Sequence, residues 1–475
     1  MTKLLKYSWV ALLFLGLTVN AQKKWTVQEC VDYAIGNSIS IKQSNLNLNN
    51  SQVNYFQSRT GLLPTLNAQI PYGLSAGRIL NQTTYKYEQG TQQYLNPSLN
   101  FQWTFFKGLQ QKHTVIQNRT LIKAFKYDAE QSKNTVLLNV INYYLQVMNN
   151  QEQVEIAKIQ VETSKQQVER TGKLVKAGSK PEFDLYDIKS QLANDELTLV
   201  NAQNNVRIAK LNLMQNMNLP YDFNFEVETV SLNDPEISNY EKNSNEIFEV
   251  AKSSQPNIKA ADTRIESNQY AVRIAKGGLY PYLTLNANLN SQFSDRNKIT
   301  VQGQQSGNVQ PIGFVKGDTV YSLPQNFTPP SFQDYPLFHQ LKDYFNKYVG
   351  LTLTIPIFNA WQTRTKISSA VITRKQSELT AQNTRVLLRQ TIEQAYVDMV
   401  TAGQQYLAYK KQVESLELSY KGTESRYQVG LSTSIDLSLS KTNLGKAKAN
   451  LVQAKYNYIF RNKILDFYQN KPLIF

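Results

Sequence analysis

Cysteine occurs once, at Cys30, so no intrachain disulfide holds this chain together. The only histidines, His113 and His339, have no partners at metal-ligand or acid–base spacing. With no phosphate-binding glycine loop and no metal signature, the sequence offers no cofactor site, no metal site and no catalytic constellation. Beyond residue 21, no apolar run approaches the ~20 residues of a membrane-crossing helix. Any insertion into lipid must therefore use β-strands, the other arrangement that satisfies backbone polar groups there. Acidic residues number 36 against 51 basic ones, for a net charge of +15. The excess is spread along the chain and accompanies no nucleic-acid motif, so it reads as solvated helix faces rather than a nucleic-acid surface.

The first residues read as a secretory signal, 1–21. Lys3 and Lys6 give a positive start, residues 9–19 are mostly apolar, and Val19-Asn20-Ala21 has small residues at the cleavage spacing. The competing reading is an uncleaved anchor.

What the sequence does contain is a duplication. With an offset of 217, Ile258-Lys259 falls on Ile41-Lys42, Gly278-Leu279 on Gly61-Leu62, and Pro281 on Pro64. With an offset of 252, Phe358 falls on Phe106, Gly430 on Gly178, Asp436-Leu437 on Asp184-Leu185, and Leu444 on Leu192. The second offset runs without a gap for over a hundred residues, so the expected organisation is two repeats, 22–225 and 226–475. The change of offset places a 35-residue insertion in the loop 291–345, whose Gly, Pro, Asn and Tyr content suits an exposed, structured segment.

Each repeat carries two alternating segments, expected as β-hairpins 65–106 and 282–358. Leu66, Ala68, Ile70, Tyr72 and Leu74 form one apolar face, and Leu95, Pro97, Leu99, Phe101, Trp103 and Phe105 a second. Leu283, Leu285, Ala287 and Leu289 form a third, and Val349, Leu351, Leu353, Ile355 and Ile357 a fourth. The intervening residues are amides and hydroxyls. Period two with one apolar and one wet face suits a tilted membrane strand of ~9–11 residues. A soluble sandwich with one wet face shows the same alternation. In lipid, four strands leave two open edges, so the chain must share a barrel with copies of itself. Two copies give eight strands and three give twelve, and the alternation does not choose.

Proline is absent from 107–177 and from 359–429. A helix of ~70 residues is ~105 Å long at 1.5 Å per residue, several times the bilayer core. Leu388, Ile392, Ala395, Met399, Ala402 and Tyr406 begin a seam of alternating four- and three-residue steps that reaches Tyr427. Its counterpart 252 residues earlier runs from Val136 to Val175. Such heptad seams bring helices side by side. Gly178 and Gly430 end the long helices, and Pro181 suits the first turn of the next. Helical hairpins are thus expected over 107–218 and 359–468, preceded by helices 27–59 and 247–276.

This layout resembles the TolC-type outer-membrane efflux protein family over the whole mature chain. The residues that carry the resemblance are Gly-Leu-x-Pro-x-Leu at 61–66 and 278–283, Tyr427-Gln428-Val429-Gly430-Leu431 followed by Asp436, and Ala454-Lys455-Tyr456-Asn457-Tyr458. The resemblance implies a mainly α fold with transmembrane β: a homotrimer whose twelve-stranded barrel continues into a twelve-helix tunnel. It places the barrel among outer-membrane lipid and the tunnel in the periplasm. It also implies a passive channel for efflux or type I secretion that works with a periplasmic adaptor and an inner-membrane pump. Adaptor docking would fall at Val429-Gly430-Leu431 and, more loosely, Ala177-Gly178-Ser179.

Asp184, Asp187 and Asp436 follow the two turns. Repeated threefold they would ring the narrow end with carboxylates and favour cations. Alternatively, acids at helix N-termini simply satisfy backbone N–H groups and the helix dipole. The resemblance pairs Tyr427 with Asp184 as a latch of the closed tip. The chain departs from the family at Ser432, Phe183 and Leu439, where the family has Arg, Thr and a second Asp. A pore-free periplasmic coiled coil is the alternative from another functional class.

Overall fold

The computed structural model describes residues 24–471 apart from 82, 84, 230–233, 236, 238–242, 304, 307–310, 317, 322–325 and 328–329. The expected signal segment 1–21 lies outside the described residues. The chain divides into two compact units. One holds Val53–Asn118 and Asn268–Thr373; the other holds Arg119–Ser267, the chain from Arg374 onward and the residues up to Gln52.

In the first of these, a four-stranded antiparallel sheet is built from β1 (Thr65–Gln69), β2 (Ser98–Lys107), β3 (Tyr282–Asn290) and β4 (Asn346–Thr354). Its order is β4-β3-β2-β1, so β4 and β1 are the edges. The register aligns polar residues in transverse rows. One row is Asn67, Asn100, Asn288 and Tyr348; the next is Thr65, Gln102, Asn286 and Gly350. A third holds Gln69, Ser98, Asn290 and Asn346, and a fourth Thr104, Thr284 and Thr352. Within them the Asn288 amide donates to the Asn100 side-chain oxygen. The opposite face offers Leu66, Val349, Leu351 and Leu353, all exposed. Trp103 Nε1 donates to the Leu62 carbonyl at 2.9 Å, which anchors the aromatic end of β2.

The first two sequence segments do not run straight through. The strand expected from Leu66 to Leu74 is interrupted at Pro71, and a separate strand, Tyr72–Asn81, pairs with Lys86–Leu95. The segment beginning at Leu95 is broken likewise at Pro97, and β2 starts at Ser98. Proline supplies no ladder N–H, so each strand leaves one sheet and enters another at its proline. The freed carbonyls are used: Asn96 N donates to Pro71 O and Ser291 N to Pro97 O, both at 3.0 Å.

The loop inserted between β3 and β4 contains α7 (Leu337–Asp343). Its Gln340 is fully buried. The side-chain oxygen accepts from Ser294 N at 3.0 Å and Asn297 Nδ2 at 2.9 Å, while Nε2 donates to the Ser294 and Tyr335 carbonyls. One amide thus organises the described part of the loop.

The other unit is helical, and four of its helices, α2, α3, α6 and α8, have one end in the sheet-containing unit. α1 (Val27–Asn37) and α2 (Ile39–Thr60) replace the single helix expected over 27–59, because Ser38 adopts an extended conformation. α5 (Ser244–Ser254) and α6 (Pro256–Gly277) are separated in the same way at Gln255. The long helices are α3 (Gln110–Lys176) and α8 (Gln362–Gln428), each of 67 residues. The helices that follow them, α4 (Glu182–Asn216) and α9 (Ser434–Tyr468), each have 35.

The heptad positions supply the packing. Val136, Val140, Val147, Val154, Ala157 and Val161 of α3 are buried, as are Leu388, Ile392, Ala395, Met399, Ala402 and Tyr406 of α8. Burying each large apolar side chain stabilises by ~1.5–3 kcal/mol. Cys30 is buried in the same core as Val140, Tyr144 and Met148, which accounts for it as a packing residue.

Candidate functional site: the helical tip

Both hairpin turns close by the same backbone device. Gly178 has φ +70° and Gly430 φ +82°, conformations that glycine adopts without steric cost. Ser179 N donates to Leu174 O, and Leu431 N to Arg426 O, each at 2.9 Å. These bonds satisfy carbonyls that the ends of α3 and α8 would otherwise leave open. Ala177, Gly178 and Ser179 are exposed, and so are Val429, Gly430 and Leu431.

The two helices that leave the turns start differently. Thr433 and Asp436 form a capping box: Thr433 Oγ1 accepts from Asp436 N at 3.1 Å, and Asp436 Oδ2 accepts from Thr433 N at 3.1 Å and Thr433 Oγ1 at 2.7 Å. These hydrogen bonds, the hydroxyl first, hold the Asp436 carboxyl below the ordinary aspartate range. α4 has Pro181 at its cap with no side-chain bond, and Asp184 is buried.

Asp184 and Asp187 turn toward α9. Ser434 Oγ donates to Asp187 Oδ2 at 2.8 Å and lies 3.4 Å from Asp184 Oδ1. Lys180 Nζ sits 3.9 Å from Asp184 Oδ2 and 4.2 Å from the centre of the Tyr427 ring, a cation held between a carboxylate and a π face. The Tyr427 hydroxyl lies 3.5 Å from Thr171 Oγ1, and Asp184 acts on it through space. Burial first, and then the two aspartates, push the Tyr427 phenol up. Ile188, Tyr427 and Leu437 form the apolar floor beneath.

Further along the same helices lies a cluster that the sequence reading missed. Lys441 Nζ is 2.7 Å from Asp195 Oδ2 and bonds Ser164 Oγ and the Gln160 carbonyl. Ser164 Oγ donates to Asp195 Oδ2 at 2.6 Å, and Gln191 Nε2 to Asp195 Oδ1 at 2.9 Å. The ammonium has three acceptors and both carboxylate oxygens have donors, which is what makes a buried pair tolerable. Burial pulls the Lys441 ammonium below the ordinary lysine range, and Asp195 works against that. Between this cluster and the turns, Gln167 Nε2 donates to Tyr420 Oη at 2.7 Å, and burial pushes the Tyr420 phenol up to about 12. A signal was present in the sequence: Lys441 interrupts the buried stripe Leu437, Gly445, Val452, Tyr456.

Among the described residues no group of three or more His, Cys, Asp or Glu is placed to hold a metal, and no helix is long and apolar enough to cross a membrane. The tip's chemistry is fastening: acids, a lysine and tyrosines that tie one helical hairpin to the other.

Comparison with known proteins places this arrangement. Residues 30–219 and 247–466 match the family described as "Outer membrane efflux protein". Outer membrane protein TolC of Escherichia coli (strain K12) is 26% identical over 111 residues. That match spans 23% of this chain and 22% of TolC, about a fifth of the curated relative's length. Among solved structures, CusC is 15% identical with a TM-score of 0.70, covering 94% of this chain and 92% of its own. The Campylobacter jejuni CmeC outer membrane channel is 17% identical, also at 0.70, covering 94% and 87%. VceC of Vibrio cholerae is 17% identical at 0.67, covering 94% and 97%. At these identities the structures establish a shared fold.

Proposed function

Because the chain belongs to the outer membrane efflux protein family, we propose that it is one protomer of a homotrimeric, passive channel-tunnel that releases cargo through the outer membrane. Its location is the cell outer membrane, with the helical tunnel in the periplasm. The family is one of channels rather than enzymes.

The observation that carries the reading is the sheet β4-β3-β2-β1, which has an exposed apolar face and two edge strands. Hydrocarbon offers no hydrogen bonds to such edges, so β1 of one copy must pair with β4 of the next. Three copies close a twelve-stranded barrel, with polar rows inside and Leu66, Val349, Leu351 and Leu353 toward lipid. The 67-residue helices, at ~100 Å, continue the passage far beyond the bilayer. A pore-free coiled coil leaves the sheet and its apolar face without a role.

The channel is gated at its tip, where Asp184, Asp187 and Tyr427 fasten the helices and Asp436 adds an exposed carboxylate. A periplasmic adaptor docks at the turns 177–179 and 429–431, and an inner-membrane pump loads the tunnel. Val429 and Leu431, 69% and 77% exposed, supply the apolar contacts an adaptor helix would cover. The test uses the full mature chain in detergent. A trimeric mass by light scattering and discrete conductance in a planar bilayer are expected; a stable monomer without conductance overturns the reading.

A further inference from the structure

The charges of the sheet-containing unit are sorted by end. Its acids, Glu88, Asp295, Asp318, Asp334 and Asp343, all lie beyond the far ends of β1 to β4, in 72–95 and 291–345. Bases accompany them there: Arg296 meets Glu88, and Lys298 meets Asp334. At the near ends, where the helices join, the segments 53–66, 104–118, 268–283 and 354–373 contain no Asp and no Glu. They do contain Arg59, Lys107 and Lys112, then Arg273 and Lys276, then Arg364 and Lys366, all exposed. Among the described residues none of these bases has an ion-pair partner.

Close contacts bring the four segments side by side into one collar. Gln111 Nε2 donates to the Gly61 carbonyl at 3.1 Å and joins the start of α3 to the end of α2. A methyl group at Gly108 would stand 2.1 Å from the Gly277 carbonyl oxygen, and one at Gly278 would stand 3.2 Å from Thr363 Cγ2. The end of α6 therefore sits between the starts of α3 and α8. There the His113 and Tyr270 rings lie 6.1 Å apart. Burial first, and then Arg273 and Lys112, hold the His113 imidazole below its ordinary range, in keeping with a positive field at that point.

The duplication carries the charge twice. Arg59 and Lys276 are separated by 217 residues, and Lys112 and Arg364 by 252, the two offsets of the repeat. Each repeat thus has one base on the helix that leads into its hairpin and another on the helix that leaves it. On the strand side the collar borders an apolar surface, where Ile355, Ile357 and Phe358 are exposed. The Arg364 guanidinium lies 4.2 Å from the centre of the Trp361 ring, so its charge sits at that border.

We propose that this collar binds the phosphate headgroups of anionic glycerophospholipids in the leaflet nearest the helices. The inference rests on the membrane-channel reading and adds which lipid the barrel holds, and where. Basic residues beside a bilayer attract anionic lipid, and Arg in addition matches phosphate oxygens with paired N–H groups. A free anion would satisfy the charge, but only a lipid also covers the neighbouring apolar surface. The loop acids do not cancel the attraction. A nine-residue strand sets them ~30 Å away, several times the ~8 Å screening length of physiological salt. In a ring of three copies the two repeat-related positions recur six times each, an even belt around the barrel.

The full mature chain, reconstituted in phosphatidylcholine vesicles with trace spin-labelled phosphatidylglycerol or phosphatidylcholine, tests this. Phosphatidylglycerol is expected to associate at least about threefold more strongly, with the preference shrinking as salt rises. Lys112→Gln, Arg273→Gln, Lys276→Gln and Arg364→Gln combined should abolish the preference while conductance in planar bilayers shows the protein still folded. Arg78→Gln, Lys86→Gln, Lys342→Gln and Lys347→Gln combined remove the same charge from the loop end and should leave the preference intact. Inorganic phosphate, exchanged for chloride at constant ionic strength, should not displace the lipid. Equal association of both lipids with an inserted trimer overturns the inference alone. So does a preference lost with the loop-end charges instead, or lipid displaced by inorganic phosphate. A chain that stays monomeric and does not insert overturns the channel reading, and this inference with it.

Discussion

Asp195 Oδ2 and Lys441 Nζ lie 2.7 Å apart across two helices that start 252 residues apart, and both side chains are almost wholly buried. The pair is a geometric commitment: neither group has water to fall back on, so each needs the other.

Removing one partner is therefore expected to be far worse than removing both. Lys441→Ala should destabilise the fold by ~3–5 kcal/mol, because Asp195 stays buried and unpaired. Lys441→Met combined with Asp195→Leu should be nearly neutral, since apolar groups of similar volume fill the space. Denaturant midpoints of the three proteins decide it; equal losses in both variants would show that the pair acts only through packing.

Exposure separates the tip carboxylates. Asp436 is exposed whereas Asp184 is buried. Asp436→Asn should lower the preference for cations, read from reversal potentials under a salt gradient. Asp184→Asn should leave that preference in place. The opposite ranking would mean that the carboxylates facing the passage are the buried ones.

Acid should loosen the start of α9 before its interior. The Asp436 carboxyl is held below its ordinary range by Thr433, so its folded value is lower than its unfolded one. The stability it contributes is complete above the ordinary aspartate range and is lost as pH falls through the lower, folded value. Hydrogen exchange at residues 433–437 should accelerate on that descent in the native protein and show no such step in Asp436→Asn.

The turn glycines isolate a backbone effect. A Cβ added at Gly430 meets no atom within 4 Å, so Gly430→Ala costs only the strain of positive φ, ~1–2 kcal/mol. Gly178, also in open space with positive φ, should behave alike. Local proteolysis at the turns checks both, with faster cleavage expected; unchanged rates would show that the turns relax to ordinary geometry.

Much of the helical unit is readable from periodicity. Many heptad residues of α3 and α8 are buried, Val140 and Ile392 completely, while Ile141, Tyr144 and Met148 off the seam of α3 are buried as well because that helix packs on more than one side. Gly178 and Gly430 end their helices as expected, since only glycine takes that conformation freely. The strands are half readable. Alternation marks which side faces which way, but it passes unbroken through Pro71 and Pro97, where the missing N–H makes the chain change sheets. Ser38 and Gln255 break helices without any glycine or proline at the break itself; at 255 the following Pro256 was the available sign. Lys441 and Asp195 stayed hidden for another reason. Each is a single polar residue in an apolar stripe, and their sequence separation gives no hint of contact.

The rows that cross β1 to β4 carry dipoles and no formal charge, from Thr104 at one end to Asn346 at the other. In the proposed channel a solute threading past them would find amides and hydroxyls that donate and accept alike, so its sign would confer neither advantage nor penalty there. Sorting by charge would then have to happen elsewhere along the proposed route, leaving the polar face of this sheet as a neutral vestibule that anions, cations and uncharged molecules could share.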